Sequence, residues 1–139
     1  MINGAIADKL SALNQAIAEL RSLGNVSIVQ LEQDWRTQRA IERNLQVMVE
    51  TVIDVCQRLS LLTDQPPGHT SFEAIQHCIQ LGALDPQDAA VYRKMVQFRN
   101  FIVHRYEKVE MSILVEMVNR RLPDFERFHD QVLAYVARH

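Results

Sequence analysis

The chain has 139 residues, of which 47% are apolar and 23% charged, with only four glycines and four prolines. A formal net charge of −2 excludes the global basic field that coats nucleic acid indiscriminately, and the apolar fraction is ample to offset ordering entropy, which excludes a disordered chain. No window approaches the ~18 consecutive apolar residues of a membrane span, and the opening MINGAIADKL lacks the basic-then-apolar pattern of a signal peptide. The expectation is a single cytoplasmic domain over residues 1–139, with no membrane partner.

Residues 4–23 place Ile6, Leu10, Leu13, Ile17 and Leu20 at steps of three and four, which predicts an amphipathic helix. Gly24 and Asn25 end it, and Gly24 suits a left-handed cap. Ser27 then caps a short segment, with Gln30 at the capping-box position. From about residue 35 to 62 the chain reads as one long helix. Ile41, Leu45, Met48, Val52, Val55, Leu59 and Leu62 form the seam of a bundle or coiled coil. Arg36, Arg39, Arg43, Glu50, Asp54 and Arg58 fall on another stripe of that helix. The stripe reads either as a solvated face laced with ion pairs or as a polar wall along a cleft, with Arg43 and Glu50 the residues to watch.

TDQPPGHT, 63–70, is the clearest break in the pattern. A short helix, SFEAIQHCIQLG, follows with Ser71 as its cap. In LDPQDAA, Asp85 at N-cap, Pro86 at N1 and Asp88 at N3 mark another helix start. The last segment, about 110–138, repeats apolar residues at Leu114, Val118, Phe125, Phe128, Val132 and Tyr135, and Pro123 should kink or divide it. Period-two patterning longer than a few residues is missing, so the predicted fold is all-α, an antiparallel bundle of four to five helices. Cys56 and Cys78 show neither a CxxC pair nor metal-ligand spacing and read as buried free thiols. No metal and no cofactor is expected.

The helix after Asp85 carries RNFIVHRY, residues 99–106. Arg99 brings the planar fork that binds phosphate, and His104 the side chain suited to proton transfer near neutral pH. Asn100, one turn before His104, can fix the imidazole or touch a ligand. From Arg93 to Lys108 five permanently cationic side chains stand against Glu107 alone, which points to an anionic ligand. On a helical wheel Arg99 and Tyr106 share one stripe, Asn100 and His104 another, and Arg99 lies about 140° from His104. Three routes bring the pair together. The helix ends or distorts near His104, the arginine wraps sideways, or two copies meet across a dimer axis.

RNFIVHRY is R-x4-H-x-Y, and with the long helix RTQRAIERNLQVMVETVIDVCQRL and the late LPDFERF helix it resembles the HEPN ribonucleases, in particular the HepT-type toxins. The resemblance covers most of the chain. It implies a small all-α protein that dimerises through the motif-bearing cleft and cleaves RNA without a metal. It also implies that Arg99 and His104 are the catalytic pair and Asn100 a supporting residue. Tyr106 matches the tyrosine that an antitoxin of the minimal-nucleotidyltransferase (MNT) type modifies with AMP, silencing the toxin. The residue types suit that chemistry. RNA carries its own nucleophile, the 2′-OH. A histidine can take its proton or protonate the 5′-oxygen, and an arginine can stabilise the charge that builds on phosphorus. The product is then a 2′,3′-cyclic phosphate, or the 3′-phosphate after its hydrolysis. The rival reading is a non-catalytic helical partner of a nucleotidyltransferase, binding nucleotide without cutting RNA.

Overall fold

Seven α-helices form where the apolar periodicity lies, as seen in a computed structural model that describes residues 2–62, 70–104 and 110–139, without the side chains of residues 2–3 and 102–104. Pro66, Pro67, Gly68 and Tyr106 lie outside the described residues. The helices are α1 (Ile2–Arg21), α2 (Ile28–Gln33), α3 (Trp35–Ser60), α4 (Ser71–Leu81), α5 (Ala89–His104), α6 (Met111–Glu116) and α7 (Leu122–Arg138). The architecture is the all-α antiparallel bundle that the sequence predicts, with α2 and α6 as short flanking pieces.

Helix α3 is the central post. It packs along α1 on one side and against α4 and α5 on the other, while α7 closes on α1. Its seam explains this placement: Ile41, Leu45, Met48, Val52, Val55 and Leu59 are fully buried. Leu62 is not, at 47% exposure, because α3 stops at Ser60 and the chain turns before the seam reaches it. Burial of each such side chain contributes roughly 1.5–3 kcal/mol. One continuous apolar cluster joins Ile6 on α1 to Tyr135 on α7.

The helix ends follow short-range chemistry. Ser27 caps α2 by accepting from the Gln30 amide at 3.1 Å. Asp34 caps α3, taking the Thr37 amide on Oδ1 at 3.2 Å and the Thr37 hydroxyl on Oδ2 at 2.6 Å. Those bonds hold its carboxyl below the usual range. Gly24 and Gly82 adopt left-handed φ of 66° and 84° at the ends of α1 and α4. Two expectations change. Thr70, not Ser71, is the cap of α4: Thr70 is extended and its hydroxyl accepts from the Glu73 amide at 3.1 Å. Asp85 to Asp88 open not an α-helix but a single 3-10 turn, Pro86–Asp88, and α5 begins at Ala89. Asp88 turns away to the Gln131 amide on α7.

Pro123 divides the last segment as expected, by a specific device. Proline offers no N–H to the carbonyl of Asn119, and its ring crowds that oxygen. The helix relaxes to a π-turn over Met117–Arg121 before α7 resumes. Asn119 lies in that widened turn and pairs with Val26 in both directions. It accepts from the Val26 amide and donates to the Val26 carbonyl, each at 2.9 Å. The α1–α2 connection is thereby tied to the C-terminal half.

Cys56 and Cys78 are buried free thiols, with the Cys78 thiol donating to the Cys56 carbonyl at 3.4 Å. Burial, and then the neighbouring Cys78, push the Cys56 thiol well above its ordinary value. Tyr92, buried under α7, is also pushed up, chiefly by burial and next by the Asp88 carboxylate.

Two outcomes follow. Asn119→Ala strips partners from both polar groups of Val26 and should lower the unfolding free energy by about 2 kcal/mol in urea titration. Cys56 and Tyr92 are held neutral by the fold, so their contribution is complete below their ordinary values of 9.0 and 10.0 and is lost as pH rises towards the folded values. Stability should therefore fall above pH 9.0, by up to about 1.4 kcal/mol per pH unit for each group. Tyr92→Phe should flatten the fall above pH 10.0.

Candidate active site

Helix α5 reads AAVYRKMVQFRNFIVH: three permanent cations and no acid in 16 residues. Its inner face is set by Tyr92, Met95, Val96 and Phe98, all buried. Tyr92 fixes the rotation of the helix. Its hydroxyl donates to Gln131 Oε1 at 3.0 Å, and its ring meets Phe128 edge-on at 5.8 Å between centroids. With that face locked inward, Arg93, Lys94, Gln97 and Asn100 are exposed and Arg99 is half-buried against α4.

Arg99 is held by two neutral oxygens. Its Nε donates to Asn100 Oδ1 at 2.9 Å, and its Nη2 donates to Ser71 Oγ at 2.8 Å. Ser71 is free to do this because Thr70 has taken over the cap. The first bond bends the arginine sideways, towards the stripe that holds Asn100. Helix α5 is described as far as His104, one turn beyond Asn100. Of the three routes considered from the helical wheel, the wrapped arginine has a counterpart in the fold, and the course of the chain beyond His104 lies outside the described residues. The His104 side chain lies outside the described residues.

A second guanidinium is treated in the same way. Arg93 rests over the ring of Phe72, 4.3 Å from Cζ to the centroid. Ser71 and Phe72, the first two residues of α4, therefore each hold one arginine of α5. Among the described residues no carboxylate lies within 4.0 Å of either guanidinium. Several other arginines do meet carboxylates. Arg21 pairs with Glu126, Arg58 with Asp54, Arg121 with Glu116, and Arg127 with Asp88 and Asp124. Among the described residues, then, the two guanidinium groups are oriented without a carboxylate to neutralise them, and a site built this way favours an anion.

The polar stripe of α3 divides. Asp54 is paired with Lys9 of α1 and with Arg58, so that end faces α1. Glu50 accepts from Gln46 at 3.3 Å within α3, and Arg36 lies over its neighbour Trp35. Arg39 and Arg43 are exposed. Among the described residues no hydrogen bond joins Arg43 or Glu50 to Arg99 or Asn100. On the other side of α5 lies a half-open groove of about 330 Å³, with Met95, Ile113, Met117 and Phe125 among its lining residues. Neither Arg99 nor Asn100 lines it, so the groove and the arginine site are separate. Ser71 and Phe72 could not be assigned to the site from sequence, since they lie 28 and 21 residues from their partners and only the α4–α5 packing joins them.

A family model described as "Ribonuclease HepT-like" matches residues 13–132. The chain belongs to the HepT-like ribonuclease family. Among its HepT relatives, an mRNA nuclease HepT of Shewanella oneidensis is 27% identical over 96% of this chain and 99% of that protein. A tRNA nuclease HepT of Aphanizomenon flos-aquae is 21% identical over 94% of this chain and 89% of that protein. Among solved structures, a tri-AMPylated HEPN toxin of Shewanella oneidensis in complex with an MNT antitoxin superposes with a TM-score of 0.83, at 26% identity, over 95% of this chain and 98% of that one. A toxin–antitoxin structure with AMP-PNP gives a TM-score of 0.81 at 25% identity, over 94% of this chain and 98% of that one. Among the described residues no helix of this HepT-like protein is long and apolar enough to cross a membrane.

The α4 terminus yields a direct comparison. Thr70→Ala removes the cap and should cost about 1 kcal/mol of unfolding free energy. Ser71→Ala removes the part-buried, charge-assisted bond to Arg99 and should cost about 1.5 kcal/mol, the lower end for such bonds, and that loss should shrink to near zero in an Arg99→Ala background. Paired urea titrations in both backgrounds check this; a loss at Ser71 that persists without Arg99 would return the cap to that residue.

Proposed function

We propose that this chain, as one HEPN-like domain, is the toxin of a toxin–antitoxin pair and a metal-independent RNA endonuclease. Arg99 and His104 carry the chemistry and Asn100 supports them. The observation that carries this reading is the Arg99 guanidinium, fixed by Ser71 and Asn100 with no carboxylate among the described residues to neutralise it, on the helix that carries His104. The HepT relatives, described as mRNA and tRNA nucleases, supply the substrate class. Cellular RNA as substrate places the protein in the cytoplasm.

The reaction is an in-line transfer. The 2′-oxygen attacks phosphorus, the bond from phosphorus to the 5′-oxygen breaks, and a 2′,3′-cyclic phosphate forms. A base takes the 2′-proton and an acid delivers one to the 5′-oxygen; His104 suits either role. A homodimer joined along the motif-bearing cleft supplies one His104 from each protomer, hence both a base and an acid. Arg99 faces the charge that grows on the phosphoryl oxygens, where a fixed donor is worth most. Asn100 keeps the guanidinium turned to that position through Nε.

Tyr106 is the acceptor for AMP from an MNT-type antitoxin. The relative that is tri-AMPylated and bound to an MNT antitoxin supports this assignment. AMP there adds negative charge two residues beyond His104 and competes with RNA for the same cations.

The test is single-turnover cleavage of RNA by protein freed of antitoxin and shown by intact mass to carry no AMP. His104→Ala is expected to slow cutting by about 10²–10⁴-fold, and Arg99→Ala by about 10²–10³-fold. Protein carrying AMP on Tyr106 is expected to be inactive. Equal cutting by wild type and His104→Ala would overturn the assignment. Failure of unmodified wild type to cut any of several RNA classes would favour the non-catalytic partner module.

A further inference from the structure

We infer that Arg93, seated on the ring of Phe72, is a second contact for the RNA strand and binds a phosphodiester that flanks the one at Arg99. The inference rests on the ribonuclease reading and deepens it. Three independent observations converge. Arg93 is exposed yet ordered by an aromatic ring, with Cζ 4.3 Å from the Phe72 centroid, and no carboxylate among the described residues neutralises it. The ring contact takes up no hydrogen-bonding group, and among the described residues no acceptor meets the guanidinium N–H groups, the donors that grip phosphate. Phe72 is itself packed against the core, so the platform is fixed.

Helical register supplies the second observation. With Arg93 at 0°, Gln97 lies near 40°, Asn100 near −20° and His104 near 20°, so these four positions share one stripe about 60° wide. Arg93 stands about 9 Å before Arg99 along the axis. A strand laid along this stripe meets Arg93 first and then Asn100 and the His104 position, while Arg99, about 120° away on the wheel, reaches towards the stripe through its Nε bond to Asn100. The third observation is charge. Helix α5 has no acidic residue to repel such a strand, although the chain as a whole is acidic.

A binding residue differs from a catalytic one in what its loss changes. Arg93→Ala is expected to raise KM for a single-stranded RNA about tenfold while kcat stays within about twofold, as for loss of uniform binding. The slope of log Kd against log salt should become shallower by about 0.7, the value for one phosphate contact to a single strand. Phe72→Leu keeps the apolar packing but removes the ring face, and should shift KM in the same direction by a smaller factor. Arg138→Ala removes a distant surface charge and serves as the control.

Affinity is measured with a fluorescein-labelled 20-nucleotide RNA in a His104→Ala background, with and without Arg93→Ala. Melting curves show that each variant is folded. Weaker binding and a shallower salt slope with Arg93→Ala support the inference, even where wild type fails to cut and the ribonuclease reading falls. Unchanged affinity, KM and salt slope in a folded Arg93→Ala protein overturn it, and do so while leaving the ribonuclease reading standing wherever wild type cuts.

Discussion

A guanidinium satisfied by neutral oxygens keeps its full charge for whatever comes next. Arg99 is such a group, bonded through Nε to Asn100 and through Nη2 to Ser71. Arg21, Arg58, Arg121 and Arg127 each meet a carboxylate, and an exposed pair of that kind contributes little beyond solvation. At the α4–α5 seam the chain instead spends hydroxyl, amide and aromatic groups on orienting two cations. Half-burying an unneutralised charge is unfavourable for stability. A fold that accepts it is poised for a ligand that brings the missing negative charge.

The rest of the bundle exists to hold that seam. Helix α3 is the post against which both α4 and α5 are packed. Tyr92 and its bond to Gln131 fix the rotation of α5, and with it the direction in which Arg93, Asn100 and Arg99 emerge. Thr70 caps α4 and so releases the Ser71 hydroxyl for Arg99. The π-turn forced by Pro123 ties the C-terminal half to the α1–α2 connection through Asn119 and Val26. Local capping choices thus reach the site through rigid packing, without any direct contact.

The elements were legible because their signals are local and periodic. Ile6 to Leu20, Ile41 to Leu59 and Phe125 to Tyr135 are buried as their spacing requires. The misses have local causes too. Adjacent Thr70 and Ser71 are both good caps, and only the backbone geometry decides between them. Pro86 after Asp85 favours a start, but whether that start is α or 3-10 depended on Asp88, which is drawn away to α7. Leu62 continued the seam in sequence but not in space. For the site, Arg99 and Asn100 were visible from residue chemistry and from the R-x4-H-x-Y resemblance. Ser71 and Phe72 were invisible because their roles depend on pairing between two helices, which no short pattern encodes. The α3 stripe, which could have been either a solvated face or a cleft wall, shows its Asp54 end occupied by Lys9 and Arg58.

The central claim is that the chain cleaves RNA with its own side chains, through the 2′-oxygen. The most direct measurement is mass spectrometry of the RNA ends left by unmodified wild type in excess EDTA. The account predicts 2′,3′-cyclic phosphate at the new ends, passing to 3′-phosphate with time, and no cleavage of an otherwise identical strand with 2′-deoxyribose at the cut site. Cutting that stops in EDTA, or that leaves 5′-phosphate and 3′-hydroxyl ends, would contradict it.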